Sequence, residues 1–145
     1  MSTTWILTAN GGKARIFSAE SPTSPLAEIA TITHPESRLR AKELASDRPG
    51  RAFDSAGVGR HAMSSQVDAK EQEQIRFARE IVDRLEKGRV ERDFEHLVVV
   101  AAPGFLGHLR ASMAEPLQAL VSTELNKDYT ELSAGELRAH LPARI

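Results

Sequence analysis

The 145-residue sequence contains no cysteine, and this absence removes disulfide bonds, thiolate catalysis and cysteine-type zinc sites together. Net charge is also nearly absent, since 19 basic and 20 acidic residues give a formal net charge of -1 at pH 7. A chain so close to neutral has no global field to attract nucleic acid or an acidic membrane. Any electrostatic binding must therefore be local.

Long hydrophobic runs are missing as well. The start, from Met1 to Leu7, lacks a basic leader region, and its apolar run is too short for a signal peptide or a membrane span. We therefore expect a cytoplasmic protein with no membrane partner. The composition, 41% hydrophobic and 27% charged, is typical of folded soluble proteins, and the length fits one domain over residues 1–145.

The first third of the chain has the pattern of three antiparallel strands. Two short apolar runs, Thr4 to Ala9 and Lys13 to Ser18, flank an Asn10-Gly11 pair. Both residues of such a pair tolerate the positive φ of tight hairpin turns, so this pattern predicts a β-hairpin. A third apolar run, Leu26 to Thr33, follows a proline-containing turn and predicts the last strand of a meander.

Helical patterns follow the meander. Glu36 to Ala45 contains good helix formers but no apolar stripe, which predicts only a short, weak helix. Gln66 to Lys87 has the apolar spacing of an amphipathic helix, with Ser65 as its N-cap and Gly88 as its expected terminator. The continuous apolar run from Phe94 to Ala102 then predicts a central strand covered on both faces.

The last third predicts a helix from Phe105 to about Glu115, broken near Pro116, and a strand from about Ala119 to Glu124. A capping box at Ser133 opens the final helix. The predicted order is β-β-β-α-β-α-β-α. Helical crossovers between strands imply parallel pairing, so we expect one α/β domain with a mixed, mainly five-stranded sheet covered by helices.

A Gly- and Arg-rich segment, Ser46 to Ser65, shows no hydrophobic period. A structureless loop of about twenty residues is long for a compact domain, so we expect it to be functional. Guanidinium groups bind phosphate through paired donors, and glycines let the backbone approach it closely. The candidate RNA-, ribosome- or anion-binding residues are Arg48, Arg51, Gly57, Gly59, Arg60 and His61. Alternatively, this is a solvated loop whose arginines pair with nearby acids.

Other chemistry in this segment is weakly indicated. The stretch from Gly57 to Ala62 has the spacing of a dinucleotide fingerprint, but that motif needs a preceding strand, and Arg51 to Ala56 is a poor one. His61 with Asp54 or a nearby serine would be needed for a hydrolase, yet no G-x-S-x-G elbow surrounds the serines. We therefore expect no catalytic residue.

The remaining histidines show neither H-x-x-x-H nor H-x-H spacing, so the sequence predicts no metal site and no cofactor. We expect surface or cap positions for His34, His96, His108 and His140.

Five segments carry a family resemblance: WILTANGGKARIF, SDRPGRAFDSAGVGRHAM, KEQEQIRFAREIVDRLEKG, LVVVAAPGFLGHLR and KDYTELSAGELRAHL. Together they resemble the bacterial host attachment proteins, described as required for attachment to host cells. That family is similar to the middle domain of archaeal and eukaryotic class-one peptide release factors. The resemblance implies a mixed five-stranded sheet of ribonuclease-H-like architecture, with a loop between meander and helix that in release factors carries Gly-Gly-Gln and enters the peptidyl-transferase centre.

Gly59-Arg60-His61 stands where the release-factor family has Gly-Gly-Gln, and no Gly-Gly-Gln occurs in the chain. Ribonuclease chemistry needs clustered carboxylates, and the first strand, Trp5 to Ala9, carries none. We therefore expect a non-enzymatic intracellular factor that binds RNA or the ribosome, with any role in attachment indirect. The alternatives are a protein-interaction module or homo-oligomer without a nucleic-acid role and, less favoured, a hydrolase centred on His61.

Overall fold

A computed structural model describes residues 3–34, 56–143 and 145 of the chain, and side chains within 56–68 lie outside that description. The weak helix predicted for Glu36 to Ala45 falls in the undescribed part, as does the first half of the Gly- and Arg-rich segment.

Five strands form one mixed sheet, which confirms the predicted α/β class and strand count. They are β1 (Thr4–Ala9), β2 (Lys13–Ala19), β3 (Ala27–Thr33), β4 (His96–Ala101) and β5 (Val121–Leu125). The order is β3-β2-β1-β4-β5. The first three strands pair antiparallel, while β4 is parallel to both β1 and β5.

The prediction that β4 is the central strand is wrong, because β1 occupies the middle of the sheet. All six β1 residues are buried, and five of the six β4 residues are buried too. Both strands are covered on two faces, so an apolar run alone does not distinguish the middle strand from its neighbour.

In the described part of the chain, four helices cover the two faces of the sheet: α1 (Ala56–Val90), α2 (Phe105–Ser112), α3 (Glu115–Gln118) and α4 (Ala134–Ala139). Residues of α1 and α2 and Leu117 of α3 pack on one face of the sheet in the larger core cluster. Leu137 of α4 and Leu141 pack on the other face against Ile6 and Phe17. Within the described residues, no helix combines the length and apolar character that crossing a bilayer requires.

Helix α1 begins ten residues earlier than predicted. Ser65 is inside the helix and is not its N-cap, and residues 56–65 of the predicted loop are helical. Extending a helix that is already nucleated is favourable, and Ala56, Arg60 and Met63 are good helix formers. Proline is absent from the sequence of 56–90, so no residue there blocks the extension.

The end of α1 also differs from prediction, because Gly88 lies within the helix. The Asp93 N–H donates to the Gly88 carbonyl at 2.8 Å, and the Arg92 N–H donates to the Arg89 carbonyl at 3.0 Å. Arg92 has a φ of 61°, the left-handed conformation that normally favours glycine. These two bonds form a Schellman motif that ends α1 at Val90.

The predicted break near Pro116 is confirmed as two short helices. Helix α2 ends at Ser112, and Pro116 lies in the first turn of α3, where a missing N–H is tolerated. The strand that follows starts at Val121, two residues later than predicted. The capping box at Ser133 is confirmed, with Glu136 as its reciprocal partner.

Candidate functional site

The predicted binding residues occupy two different parts of the chain. Arg48 and Arg51 lie outside the described residues. Gly57, Gly59, Arg60 and His61 lie on helical backbone at the start of α1, where a loop was predicted.

Helix α1 packs against the sheet through its second half. Among its side chains that the structure describes, in residues 69–90, the buried ones begin at Glu73 and include Phe77, Ala78, Ile81, Val82 and Leu85. Residues 70–72 are exposed. At 1.5 Å per residue, Ala56 lies about 25 Å along the helix from Glu73. We call residues 56–72 the arm.

The arm leaves the domain at a defined end of the sheet. The Gln74 side chain lies against Gly11, where an added Cβ would be 2.9 Å from the Gln74 Nε2 atom. Gly88, at the other end of the packed part, lies against Trp5. Helix α1 therefore runs antiparallel to β1, and the arm continues past the carboxyl ends of β1 and β4. That end of a parallel strand pair is where ligands bind in α/β sheets.

The β1–β2 hairpin at this end forms as predicted, but the backbone conformation of its turn differs from the predicted one. The Asn10 Oδ1 atom accepts hydrogen bonds from the Gly12 and Lys13 N–H groups, each at 2.9 Å. None of residues 10–13 has a positive φ, so the predicted Asn-Gly turn with positive φ is wrong. The Asn10 side chain supplies the acceptor for the turn, as in an Asx-turn.

Asn10 also holds the closing segment of the chain. Its Nδ2 atom donates to Asp128 Oδ2 and to Thr130 Oγ1, both at 3.1 Å. The Thr130 hydroxyl donates in turn to Asp128 Oδ1 at 2.6 Å. Burial raises the pKa of Asp128, but the hydrogen bonds from Thr130 and Asn10 outweigh it and hold the pKa below its usual value. The KDYT stretch is therefore fixed against the hairpin tip.

Sequence reasoning missed a buried polar cluster at the base of the arm. His34 Nε2 lies 3.3 Å from Glu73 Oε2, and both side chains are 5% exposed. The Arg76 guanidinium donates to Glu73 Oε1 at 3.3 Å. The His34 ring stacks on Phe77 with 4.8 Å between centroids, and the backbone N–H of His34 donates to the Gly12 carbonyl at 3.1 Å.

The predicted surface or cap position for His34 is therefore wrong. The His34 backbone extends the pairing of β3 with β2 by one hydrogen bond, to the Gly12 carbonyl. This position places the His34 ring beneath α1. There the ring meets a carboxylate, and buried ionisable groups are normally paired in this way. For His140 the prediction is confirmed, since it is the C-cap of α4.

The His34–Glu73 pair can position the arm but is closed to a substrate. Both side chains lie beneath α1, at the point where the arm begins. The described part of the chain contains no group of three or more His, Cys, Asp or Glu side chains that could hold a metal ion. The described geometry thus offers a fixed base for the arm.

The profile of a protein family described as "Protein required for attachment to host cells" matches residues 5–141. Among curated proteins, none matches the chain. The family match runs from the second residue of β1 to beyond α4, so it includes both the hairpin tip and the arm. The chain therefore belongs to the host attachment family.

Proposed function

We propose that this protein is a non-enzymatic factor that binds RNA or the ribosome inside the cell through the arm and the segment before it. One observation carries the proposal: a helix firmly packed from Glu73 onward continues for about 25 Å toward the segment that holds the candidate residues. Gly57 to His61 belong to the part of this helix that lies farthest along it from Glu73. Any role in attachment to host cells is then indirect.

Local charge supports a phosphate-bearing partner. The sequence from Arg38 to His61 holds seven basic or histidine side chains and only three acids, within a protein of net charge -1. Arginine binds phosphate through paired donors, and such contacts to the nucleic-acid backbone do not depend on sequence. The basic and histidine side chains are Arg38, Arg40, Lys42, Arg48, Arg51, Arg60 and His61.

The resemblance to the release-factor middle domain supports a ribosomal partner by analogy of fold. A strand meander, then a helix that follows the Gly- and Arg-rich segment, then parallel strands is the order that the resemblance implies. We propose ribonuclease-H-like architecture on the same basis. Because Gly59-Arg60-His61 replaces Gly-Gly-Gln, the proposal is binding without peptidyl-tRNA hydrolysis.

Co-sedimentation with ribosomes and with total RNA, at low and moderate salt, tests the proposal. We expect the wild type to co-sediment at low salt and an Arg51→Ala, Arg60→Ala double variant to bind about tenfold more weakly. A Lys87→Ala, Arg92→Ala double variant removes the same charge from exposed positions at the far end of α1 and serves as the matched control. A wild type that stays off ribosomes and RNA at low salt refutes the proposal.

One observation favours a protein-interaction function instead. Edge strand β3 is exposed at most of its positions, and Ile29, in the bulge of that strand, is 43% exposed. Open edges and exposed apolar residues are typical of protein interfaces. A pull-down with and without nuclease separates the two functions, since only protein-mediated binding survives nuclease. Ester and phosphoester screens against His61→Ala test the hydrolase alternative.

A further inference from the structure

A groove of about 400 Å³ lies between α1 and α2. Its lining combines two apolar side chains, Ile75 and Ala111, with three polar ones, Arg79, His108 and Ser112. Arg79 is exposed, whereas His108 and Ser112 are half-buried. The groove therefore has an apolar wall and a polar rim with two side chains that can carry positive charge.

Among the described residues, no carboxylate pairs with the basic side chains of the groove. No carboxylate is among its lining residues. Arg79 makes no ion pair or hydrogen bond with any described residue, and neither does His108. Four other arginines of the fold each have a glutamate partner: Arg15 with Glu28, Arg76 with Glu73, Arg89 with Glu86 and Arg110 with Glu124.

We propose that this groove binds a phosphodiester segment of single-stranded RNA, an inference that rests on the proposed RNA-binding function. The guanidinium of Arg79, the imidazole of His108 and the hydroxyl of Ser112 can each donate a hydrogen bond to a phosphate oxygen. The apolar wall formed by Ile75 and Ala111 suits a ribose or the face of a base.

The His108 ring is held in place, which suits a binding role. Its edge meets the buried Phe105 ring with 6.4 Å between centroids and an interplanar angle of 78°. Phe105 in turn packs against Phe77 of α1, with centroids 6.0 Å apart. The aromatic contacts therefore fix the histidine side of the groove relative to the helix that carries Arg79.

The groove lies close in sequence to the base of the arm. Ile75 follows Glu73 by two residues, and Arg79 lies about 28 Å along the same helix from Arg60. An extended RNA strand held by the arm can therefore continue into the groove without leaving α1. The arm and the groove would both bind phosphate groups of the RNA. The affinity should therefore depend on the length of the RNA.

Fluorescence anisotropy with a labelled single-stranded RNA of about 16 nucleotides tests this inference. We expect Arg79→Ala and His108→Gln each to weaken binding about three- to tenfold, and Arg79→Ala to reduce the salt slope by about one. Arg79→Lys keeps the charge but loses the paired donors of the guanidinium, so its affinity for the RNA should fall between those of the wild type and Arg79→Ala. Lys87→Ala, on the same helix but away from the groove, should bind as the wild type does.

The same titrations separate the groove from the arm. If the wild type stays off ribosomes and total RNA as well as the labelled probe, the proposed function fails and the groove inference fails with it. If the wild type co-sediments with ribosomes but does not bind the probe, only the groove inference is overturned. If Arg51→Ala, Arg60→Ala weakens binding and both groove variants bind normally while folded by circular dichroism, only the groove inference is overturned.

Three unlabelled competitors identify the ligand that occupies the groove. An unlabelled RNA of the same length should displace the probe at far lower concentration than inorganic phosphate or an acidic peptide. An NMR titration of the His108 ring signals should show them shifting with the RNA. Displacement by the acidic peptide at equal concentration, or His108 signals that RNA leaves unchanged, overturns RNA as the ligand.

Discussion

Gly88 of α1 lies directly against the Trp5 ring of β1. A Cβ added at Gly88 would be 2.6 Å from Trp5 Cη2 and 3.0 Å from Phe94 Cε1, closer than real side chains approach. The Trp5 and Phe94 rings stack with 4.6 Å between their centroids. Helix α1 can therefore reach the sheet at this end only because residue 88 has no side chain.

Two glycines inside helices should respond to alanine in opposite directions. Gly88→Ala should lower the free energy of unfolding by about 1–3 kcal/mol, because the added methyl overpacks the ring pair. Gly107→Ala, in α2, should raise it by about 0.5–1 kcal/mol, because nothing lies within 4 Å of the added Cβ and alanine favours helix. Urea unfolding followed by circular dichroism measures both. A stabilising Gly88→Ala would contradict the described contact.

Arg92 adopts the left-handed conformation at the end of α1, so glycine should be better there. Arg92→Gly should raise the free energy of unfolding by about 0.5–1 kcal/mol, since glycine has no Cβ to strain at a φ of 61°. Arg92→Ala keeps the strain and should leave stability nearly unchanged. Thermal unfolding compares the three proteins, and equal midpoints for Arg92→Gly and Arg92→Ala would count against the assignment.

Glu28 should make stability depend on pH in the acid range. Hydrogen bonds from Arg15, and then from Thr31, lower the pKa of Glu28 from 4.5 to about 2. A carboxyl whose pKa is depressed by folding stabilises the fold above its unfolded pKa and loses that contribution as pH falls through the folded value. The stability advantage of wild type over Glu28→Gln should therefore be full above about pH 5 and shrink toward pH 2.

Urea midpoints at several pH values measure this difference, and an NMR titration of the Glu28 carboxyl checks its pKa directly. Arg15→Gln is the control, because removing the main donor should make the effect of Glu28→Gln far less dependent on pH. A constant difference between wild type and Glu28→Gln from pH 7 to pH 2 would exclude the depressed pKa.

The His34–Glu73 pair should show energetic coupling. Removing one member of a buried polar pair deletes a contact that the other side chain cannot replace with water, so His34→Gln and Glu73→Gln should each destabilise the protein. In a double-mutant cycle we expect a coupling energy of about 1–3 kcal/mol. Additive single effects would mean that the two side chains do not interact across the 3.3 Å contact.

Local signals predicted much of the fold. The bounds of β1, Thr4 to Ala9, and the capping box at Ser133 were predicted correctly. Both signals, an apolar run beside turn residues and a capping pair, depend on residues close in sequence. The start of α1 was not, since Gly57 and Gly59 have low helix propensity.

The base of the arm was beyond sequence reasoning for a different reason. His34 meets Glu73, and Asn10 meets Asp128, only after distant parts of the chain have packed together. Propensity and periodicity describe neighbours along the chain, so they do not identify such partners. The groove that holds Arg79 and His108 likewise depends on how two helices lie side by side.

The central place of β1 has a consequence for synthesis of the protein. Its antiparallel partner β2 follows at once, but its parallel partner β4 begins only at His96. At about 5–20 residues per second, roughly 3–13 s pass between translation of Thr33 and of His96. During that interval β1, whose six residues are all buried in the finished fold, lacks its final neighbour along one edge, and unpaired edges recruit other chains. The nascent meander should therefore be the most aggregation-prone stage in the life of this molecule.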